Sequence, residues 1–504
     1  MTAIGPAHAA DPRSLRRRED ERFLVGTGRY VDDVAATGHL HAIFLRSPHA
    51  HALIERIDTA AASAMPGVHR VFTGADLLAD GVGPLPCAMS LPSLIVPPRH
   101  ALAVDRARHV GEPVAMVVAD TAPAARDAAE QVMVAYADLP AVSALGDALQ
   151  DGAPQVWPDA PGNLAFEFRR GDPAATQAAF AQAAHVVRLD IVNNRVIAAP
   201  IEARGVIAKH DPATGRLDLL LSGQDVHGIR RDLARSFGVT PAMIHVACPD
   251  VGGGFGMKNV AHPEYVALLW AARRLGRTVR WTAERTEDFV AGVHGRDNLT
   301  TARLALDADG RFLALDVATV GNLGAYVSSL GPGAHTLSPA TAMGGLYAIP
   351  AVSMDVRGAF TNTVPVDAYR GAGKPEANYL IERLIDAAAH QMECDRVTLR
   401  RLNLIQAFPH TGALGITIDT GQFDANLDAA LLAADHAGFA GRRVEAADRG
   451  RRLGLGIACF LETSRGQPTE DGGIRFHADG TVDLLSGTQS NGQGLETSFA
   501  QMAA

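Results

Sequence analysis

Cysteine is scarce in this chain, with 4 among 504 residues, at Cys87, Cys248, Cys394 and Cys459. They lie far apart, so there is no CxxC pair to hold zinc, a redox disulfide or an iron–sulfur cluster. Four reduced thiols packed as small apolar groups are expected. Aromatic residues make up only 5%, and the net charge of −9 is spread over both signs. Nucleic-acid binding, which needs a basic stripe with stacking rings, is therefore not expected. The one basic block, Arg16-Arg17-Arg18, reads as a solvated N-terminal arm. No apolar run reaches the ~18 to 20 residues of a membrane span, and the N-terminus lacks the apolar stretch of a secretory signal. A cytoplasmic protein is the expectation. His294, His335 and His410 stand alone in the sequence and are expected to be structural or surface groups, and no side chain is expected to ligate a metal.

What the chain has is length and glycine. Its 504 residues exceed what one core normally organises, so two or three domains are expected. From Gly26 to about Ala144, short strands mix with helices. "HLHAIFLRSPHAHALIERID" alternates as a pair of strands would, "VGEPVAMVVAD" is an apolar strand, and "APAARDAAEQVMVAY" opens as a helix. The Gly/Pro/Asp-rich run at 151–163 reads as a linker. Beyond it, Val226, Ile229, Leu233 and Phe237 recur at helical spacing with Arg230, Arg231 and Arg235 between them. A second amphipathic helix is expected at Pro375–Met392, with Tyr379, Ile381, Leu384, Ile385 and Ala388 on one side. The stretches "RLGLGIACFLET" and "GGIRFHADGTVDLLSG" read as strands, and the last residues as the opening of a helix.

Three loops share one design: "DVGGGFGMK", "AYRGAGKPE" and "SNGQGLETS", each with glycines ahead of an expected helix. The first helical N–H groups are unpaired there and the helix dipole favours an anion. Neither a dinucleotide G-x-G-x-x-G nor a Walker loop fits their spacing, since Met257 or Asn259 falls at the third glycine and neither Lys258 nor Lys374 precedes Ser or Thr. Each loop alone reads as a tight turn or an anion cradle. The three together with Gln224, a polar residue just after a strand, point to a large polyanionic ligand gripped from several sides.

With "RREDERFLVGTGRYVDDV", "SGQDVHGIRRDLA", "VGGGFGMK", "AYRGAGKPEANYLIERLID", "VTLRRLNLI" and "GQGLETSFAQ" in order, nearly the whole chain resembles the molybdenum hydroxylases. This is the xanthine dehydrogenase and aldehyde oxidase family, in particular the large subunits related to carbon monoxide dehydrogenase. The resemblance implies an α+β fold. An aldehyde oxidase/xanthine dehydrogenase hammerhead domain would occupy 1–148, a first molybdopterin-binding domain 149–412, and the start of a second, left incomplete, 413–504. It implies molybdopterin, in the cytosine dinucleotide form, with molybdenum. Iron–sulfur and FAD centres would sit on small and medium partner subunits, with a possible complementary C-terminal chain. Gln224 matches the family glutamine that hydrogen-bonds an oxygen ligand of the metal. Gly253, Gly254, Phe255 and Gly256 match the loop beside it, and Gly492, Gln493 and Gly494 match a pterin-holding loop. Arg370 matches a substrate arginine that is also close to the cofactor, and is expected to be catalytic.

Departures narrow the chemistry. Gly371 stands where carbon monoxide dehydrogenase has a copper-binding cysteine, and Asn259 where xanthine dehydrogenase has a substrate glutamate. An aldehyde or a nitrogen heteroaromatic, oxidised with oxygen from water, is the expected substrate. The family's base glutamate, in a Gly-x-Gly-Glu loop, falls beyond the third glycine loop and is not found in this chain. Glu496 and Glu264 are the carboxylates to test in its place, and a catalytically silent paralogue or binding module is the alternative reading.

Overall fold

The computed structural model describes residues 16–35, 37–463 and 471–504. It mixes helices with six separate sheets. The two strands expected at the start form as Leu40–Arg46 and Ala52–Asp58, but they do not pair with each other. Leu40–Arg46 has Pro113–Ala119 along one edge, and on the other its first two residues, Leu40 and His41, pair with Val279 and Arg280. Ala52–Asp58 turns instead into a three-stranded sheet with Arg106–Ala107 and Met133–Asp138.

Pro113–Ala119 is buried along its whole length, as a strand covered on both faces must be. It belongs to a seven-stranded sheet in the order Ile244–Ala247, Leu217–Leu221, Gly205–His210, Val279–Thr282, Leu40–Arg46, Pro113–Ala119, Val68–Thr73. The 148/149 boundary thus divides the chain but not this sheet, because Leu40 pairs in parallel with Val279 and His41 with Arg280. The sheet packs on helices Val226–Phe237 and Pro263–Leu275. The first buries Ile229, Leu233 and Phe237 as its spacing requires, is capped by the Asp225 side chain on the Gly228 N–H, and ends at Gly238 with φ 63°. The second is buried continuously from Pro263 to Ala272, so it shows no polar face.

A five-stranded sheet, Leu164–Gly171, Ala351–Phe360, Phe312–Gly324, Asn298–Leu306 and His185–Asn193, forms the second core with helix Lys374–Gln391. That helix buries Ala377, Leu380, Ile381, Leu384, Ile385 and Ala388, whereas Tyr379, expected on the same face, is 47% exposed. At about 100° per residue, position 379 lies roughly 200° from Ile381. Residues 452–463, expected as a strand, have no ladder partner among the described residues. Their backbone is held by side chains: Arg396 donates to Leu455 O, Arg400 to Ile457 O, and Asn378 accepts the Leu461 N–H. The segment therefore crosses helix ends and does not lie beside a strand. The hairpin Gly472–Phe476/Val482–Ser486 and helix Leu495–Ala503 follow, with Phe476 78% exposed. All four cysteines are free. Cys394 is exposed, unlike the packed thiol expected there.

Candidate functional site

Strand Leu217–Leu221 ends at a short turn, and Gln224 sits between it and helix Val226–Phe237. Its backbone N–H donates to Lys258 O, and its Oε1 accepts the Gly256 N–H at 2.8 Å. Because a backbone N–H must meet an acceptor, this bond fixes which way the amide faces and turns Nε2 away from the loop. Gly254 has no room for a side chain, since a Cβ there would lie 2.2 Å from Gln224 Cδ. Gly253 (φ 91°), Phe255 (φ 54°) and Gly256 (φ 99°) carry the turn itself. The loop does not open an α-helix as expected. A 3-10 turn, Met257–Asn259, and an extended stretch intervene before Pro263 starts the helix.

The second loop lies directly against the first. A Cβ on Gly256 would meet Ala368 O at 2.3 Å, and the Arg370 N–H donates to Phe255 O at 3.0 Å. The Arg370 side chain is exposed, with its guanidinium 5.9 Å from the Phe255 ring centre and no carboxylate in ion-pair reach among the described residues. Gln224, Gly253, Gly254, Phe255, Gly256 and Arg370 therefore form one group.

Gly492, Gln493 and Gly494 stand across an open cleft of about 1260 Å³, lined among others by Arg17, Arg22, Tyr30, Glu202, Gly253 and Asn491. Gly492 and Gly494 have φ of 106° and 79°. Gln493 is exposed and folds over its own loop, accepting the Asn491 N–H through Oε1. The residue that reaches across is Gln489, whose Nε2 donates to Gly223 O at 2.7 Å. Gln489 follows strand Val482–Ser486 as Gln224 follows Leu217–Leu221, so the same sequence signal marks both.

Three further groups were not singled out from sequence. Glu202 Oε2 accepts the Gly252 N–H at 2.7 Å and the Ser222 hydroxyl at 2.5 Å, and Lys258 Nζ donates to Ser222 Oγ at 2.6 Å and Glu202 O at 2.8 Å. Lys258 is fully buried, which pulls its pKa down against the pull of Glu202 in the other direction. Its only sequence signal was a lysine closing a glycine loop that fails the Walker pattern. Arg296, at φ 61°, donates to Tyr369 O at 3.1 Å and Arg370 O at 3.2 Å and so holds the second loop from behind.

The N-terminal basic block is not a free arm. Arg17 Nη2 donates to Gly492 O, and the Arg18 N–H to Thr497 Oγ1. Glu19 accepts the Thr497 N–H, so the first turn of helix Leu495–Ala503 is already capped by the chain's own carboxylate. Neither alternative base is unencumbered. Glu264 is buried between Arg204 (2.9 Å) and Arg46 (2.8 Å); burial alone would raise its pKa, but the two guanidiniums hold it well below the usual carboxylate range. Glu496 is clamped by Arg22 through both oxygens. His335, buried, meets Asn322 O, and His294 meets Phe289 O, as structural histidines do.

No helix among the described residues is long and apolar enough to cross a membrane. Three family models match the chain in succession. They are an aldehyde oxidase and xanthine dehydrogenase a/b hammerhead domain over 25–140, and molybdopterin cofactor-binding domains over 156–404 and 432–504. The nicotine 6-hydroxylase large subunit of Paenarthrobacter nicotinovorans is 35% identical over 98% of this chain and 62% of its own length. The carbon monoxide dehydrogenase large chain of Hydrogenophaga pseudoflava is 34% identical, over 98% of this chain and 64% of its own. Quinoline 2-oxidoreductase from Pseudomonas putida 86 superposes with a TM-score of 0.92 at 36% identity, covering 97% of this chain and 64% of that one. The chain thus spans somewhat less than two thirds of the length of these relatives, and with all three domain models matched in order it belongs to the molybdopterin-binding family of the aldehyde oxidases and xanthine dehydrogenases.

Proposed function

We propose that this chain is the cofactor-holding part of a molybdenum hydroxylase that oxidises an aldehyde or a nitrogen heteroaromatic with oxygen from water. In this reading electrons pass to iron–sulfur and FAD subunits. The observation that carries the proposal is the contact of Gln224, Gly253–Gly256 and the Arg370 loop, with Gln489 bonded to Gly223 from the third loop.

The residues present fit a pterin. The N–H groups of Gly253, Gly254 and Phe255 have no acceptor among the described residues. Among the described residues, buried Glu202 Oε1, Gln489 Oε1 and Asn491 Oδ1 have no donor. Leaving those buried acceptors unmet costs roughly 1 to 3 kcal/mol each, and a pterin edge, with its mixed donors and acceptors, would answer them and the loop N–H groups alike. The cytosine dinucleotide form would extend along the cleft toward Gly492 and Gly494.

A bound molybdenum centre would supply the two-electron oxidation. The chain's own part is positional. Gln224, its Oε1 committed to Gly256, keeps Nε2 to donate toward a ligand oxygen. Glu202 and Lys258 fix where the glycine backbone stands, and the Arg370 N–H on Phe255 O ties the first loop to the second. Arg370, charged and unpaired, is placed to stabilise negative charge growing on a substrate.

The test uses the whole assembly, purified with its partner subunits. Molybdenum and pterin near one per large chain, turnover of quinoline- or benzaldehyde-type substrates, and product oxygen derived from labelled water are expected. Gln224→Ala should lower both metal content and turnover at least tenfold. Product oxygen drawn from O₂, or an assembly without pterin, would defeat the proposal.

A further inference from the structure

Helix Arg18–Leu24 is only seven residues long, and Glu19 is its sole buried residue. A helix that short does not hold itself together in water. Apolar packing adds only Phe23 against Tyr30, with ring centres 6.3 Å apart, since Leu24 is 85% exposed and the adjoining Val25 67%. Its polar contacts remain, and most of those that reach beyond the segment itself go to residues 474 to 479 positions away.

Glu19 Oε2 accepts the Thr497 hydroxyl at 2.6 Å and Oε1 the Thr497 N–H at 3.1 Å, while the same hydroxyl oxygen accepts the Arg18 N–H at 2.8 Å. Burial would raise the Glu19 pKa, but the Thr497 hydroxyl and the surrounding backbone N–H groups hold it at about 2. The helix Leu495–Ala503 is therefore met at its N-terminus by a full negative charge. Arg22 then joins two places at once. Nη1 and Nη2 meet the two oxygens of Glu496 at 2.9 and 2.7 Å, and Nη2 also meets Asp250 Oδ1 at 2.9 Å. Asp250 stands two residues before Gly252, and its second oxygen accepts the Arg29 N–H at 2.8 Å. Arg17 completes the set on Gly492 O at 3.2 Å.

We propose that the N-terminal helix is a clasp that fixes the third glycine loop relative to the first across the cleft, with Glu19 and Arg22 as positioning residues that govern how tightly the cleft retains its ligand. The proposal rests on the reading of that ligand as a pterin cofactor. Its ion pairs face solvent, so they are weak singly and act as a set. The clasp can open without disturbing either sheet core, which gives a large ligand a way in and out of a cleft whose first wall is rigid.

The experiment compares Arg22→Ala, Thr497→Val and Thr497→Ser in the full assembly. Backbone hydrogen exchange is followed in the peptide 490–500, with the peptide 263–275 as control. Pterin released over time is measured by its fluorescence after oxidation. Exchange at 490–500 should rise about two- to fivefold in Arg22→Ala and at least tenfold in Thr497→Val, and stay near the parent value in Thr497→Ser, which keeps the hydroxyl. The control peptide should not change, and pterin release should quicken at least fivefold in the first two variants alone. Unchanged exchange in all variants overturns the clasp. Faster exchange with unaltered pterin release reduces the helix to a tether and overturns its role in retention. A parent assembly that carries no pterin defeats the functional reading and with it the retention role, and exchange then decides alone whether the helix joins the two loops.

Discussion

Lys258, at the end of the first glycine loop, is fully buried against Glu202 and Ser222, whereas Arg22, which holds the third, is about a third exposed between Glu496 and Asp250. The two loops look alike in sequence, with glycines at positive φ next to a polar side chain. Their anchors differ in solvent. A charge pair out of water is strong because breaking it strands a partner, while a pair in water is screened and replaceable. One wall of the cleft is therefore set at folding and the other is adjustable afterwards.

The sharpest way to break this contrast is Lys258→Met. It leaves the Glu202 carboxylate and the Ser222 hydroxyl without their buried cation, and should cost about 3 to 5 kcal/mol. Urea unfolding followed by the buried Trp270 and Trp281 reads this directly, and an unmoved midpoint would mean that the first loop is no better anchored than the third. Next in size is Arg296→Ala, which removes charged donors from Tyr369 O and Arg370 O at roughly 1.5 to 3 kcal/mol. Faster hydrogen exchange confined to 366–373 is the expected sign. Arg22→Ala should cost only ~0.2 to 1 kcal/mol of global stability. Raising salt to about 1 M, where charges are screened beyond ~3 Å, should erase even that difference while leaving the Lys258→Met deficit intact.

The last prediction concerns acid. The Glu19 pKa is lowered from 4.5 to about 2, so its contribution is complete above pH 4.5 and fades as pH falls toward 2. The difference in melting temperature between parent and Glu19→Gln should accordingly be constant from pH 7 to 5 and narrow below that. A difference that persists unchanged at pH 3 would show that Glu19 acts by shape and not by charge.

Local features were legible in the sequence. The helix Val226–Phe237 follows from its apolar spacing and the Gly after it, and strand Pro113–Ala119 from its unbroken apolar run. Both depend on neighbours in the chain. Tyr379 lies about 200° around the helix from the face it was expected to share, and 452–463 has strand composition but no ladder partner among the described residues. Partners distant in sequence could not be read. Nothing near Arg17 or Glu19 announces Gly492 or Thr497, and nothing near Glu202 announces Lys258, since each pair is made by the fold and not by spacing. In the site, the Gln224 and Gly253–Gly256 neighbourhood was read from motif, whereas Gln489, the side chain that crosses to Gly223, was not singled out.

The parallel pairing of Leu40 with Val279 also sets a clock for synthesis. Strand Leu40–Arg46 gains its neighbour Pro113–Ala119 early, but its other edge has no partner until Val279–Thr282 has left the ribosome. At about 5 to 20 residues per second, that interval is on the order of 10 to 50 s. Throughout it the nascent chain presents an apolar strand edge of the kind that templates aggregation. Non-local strand pairing of this sort folds slowly in any case, which lengthens the time for which that edge stays unpaired.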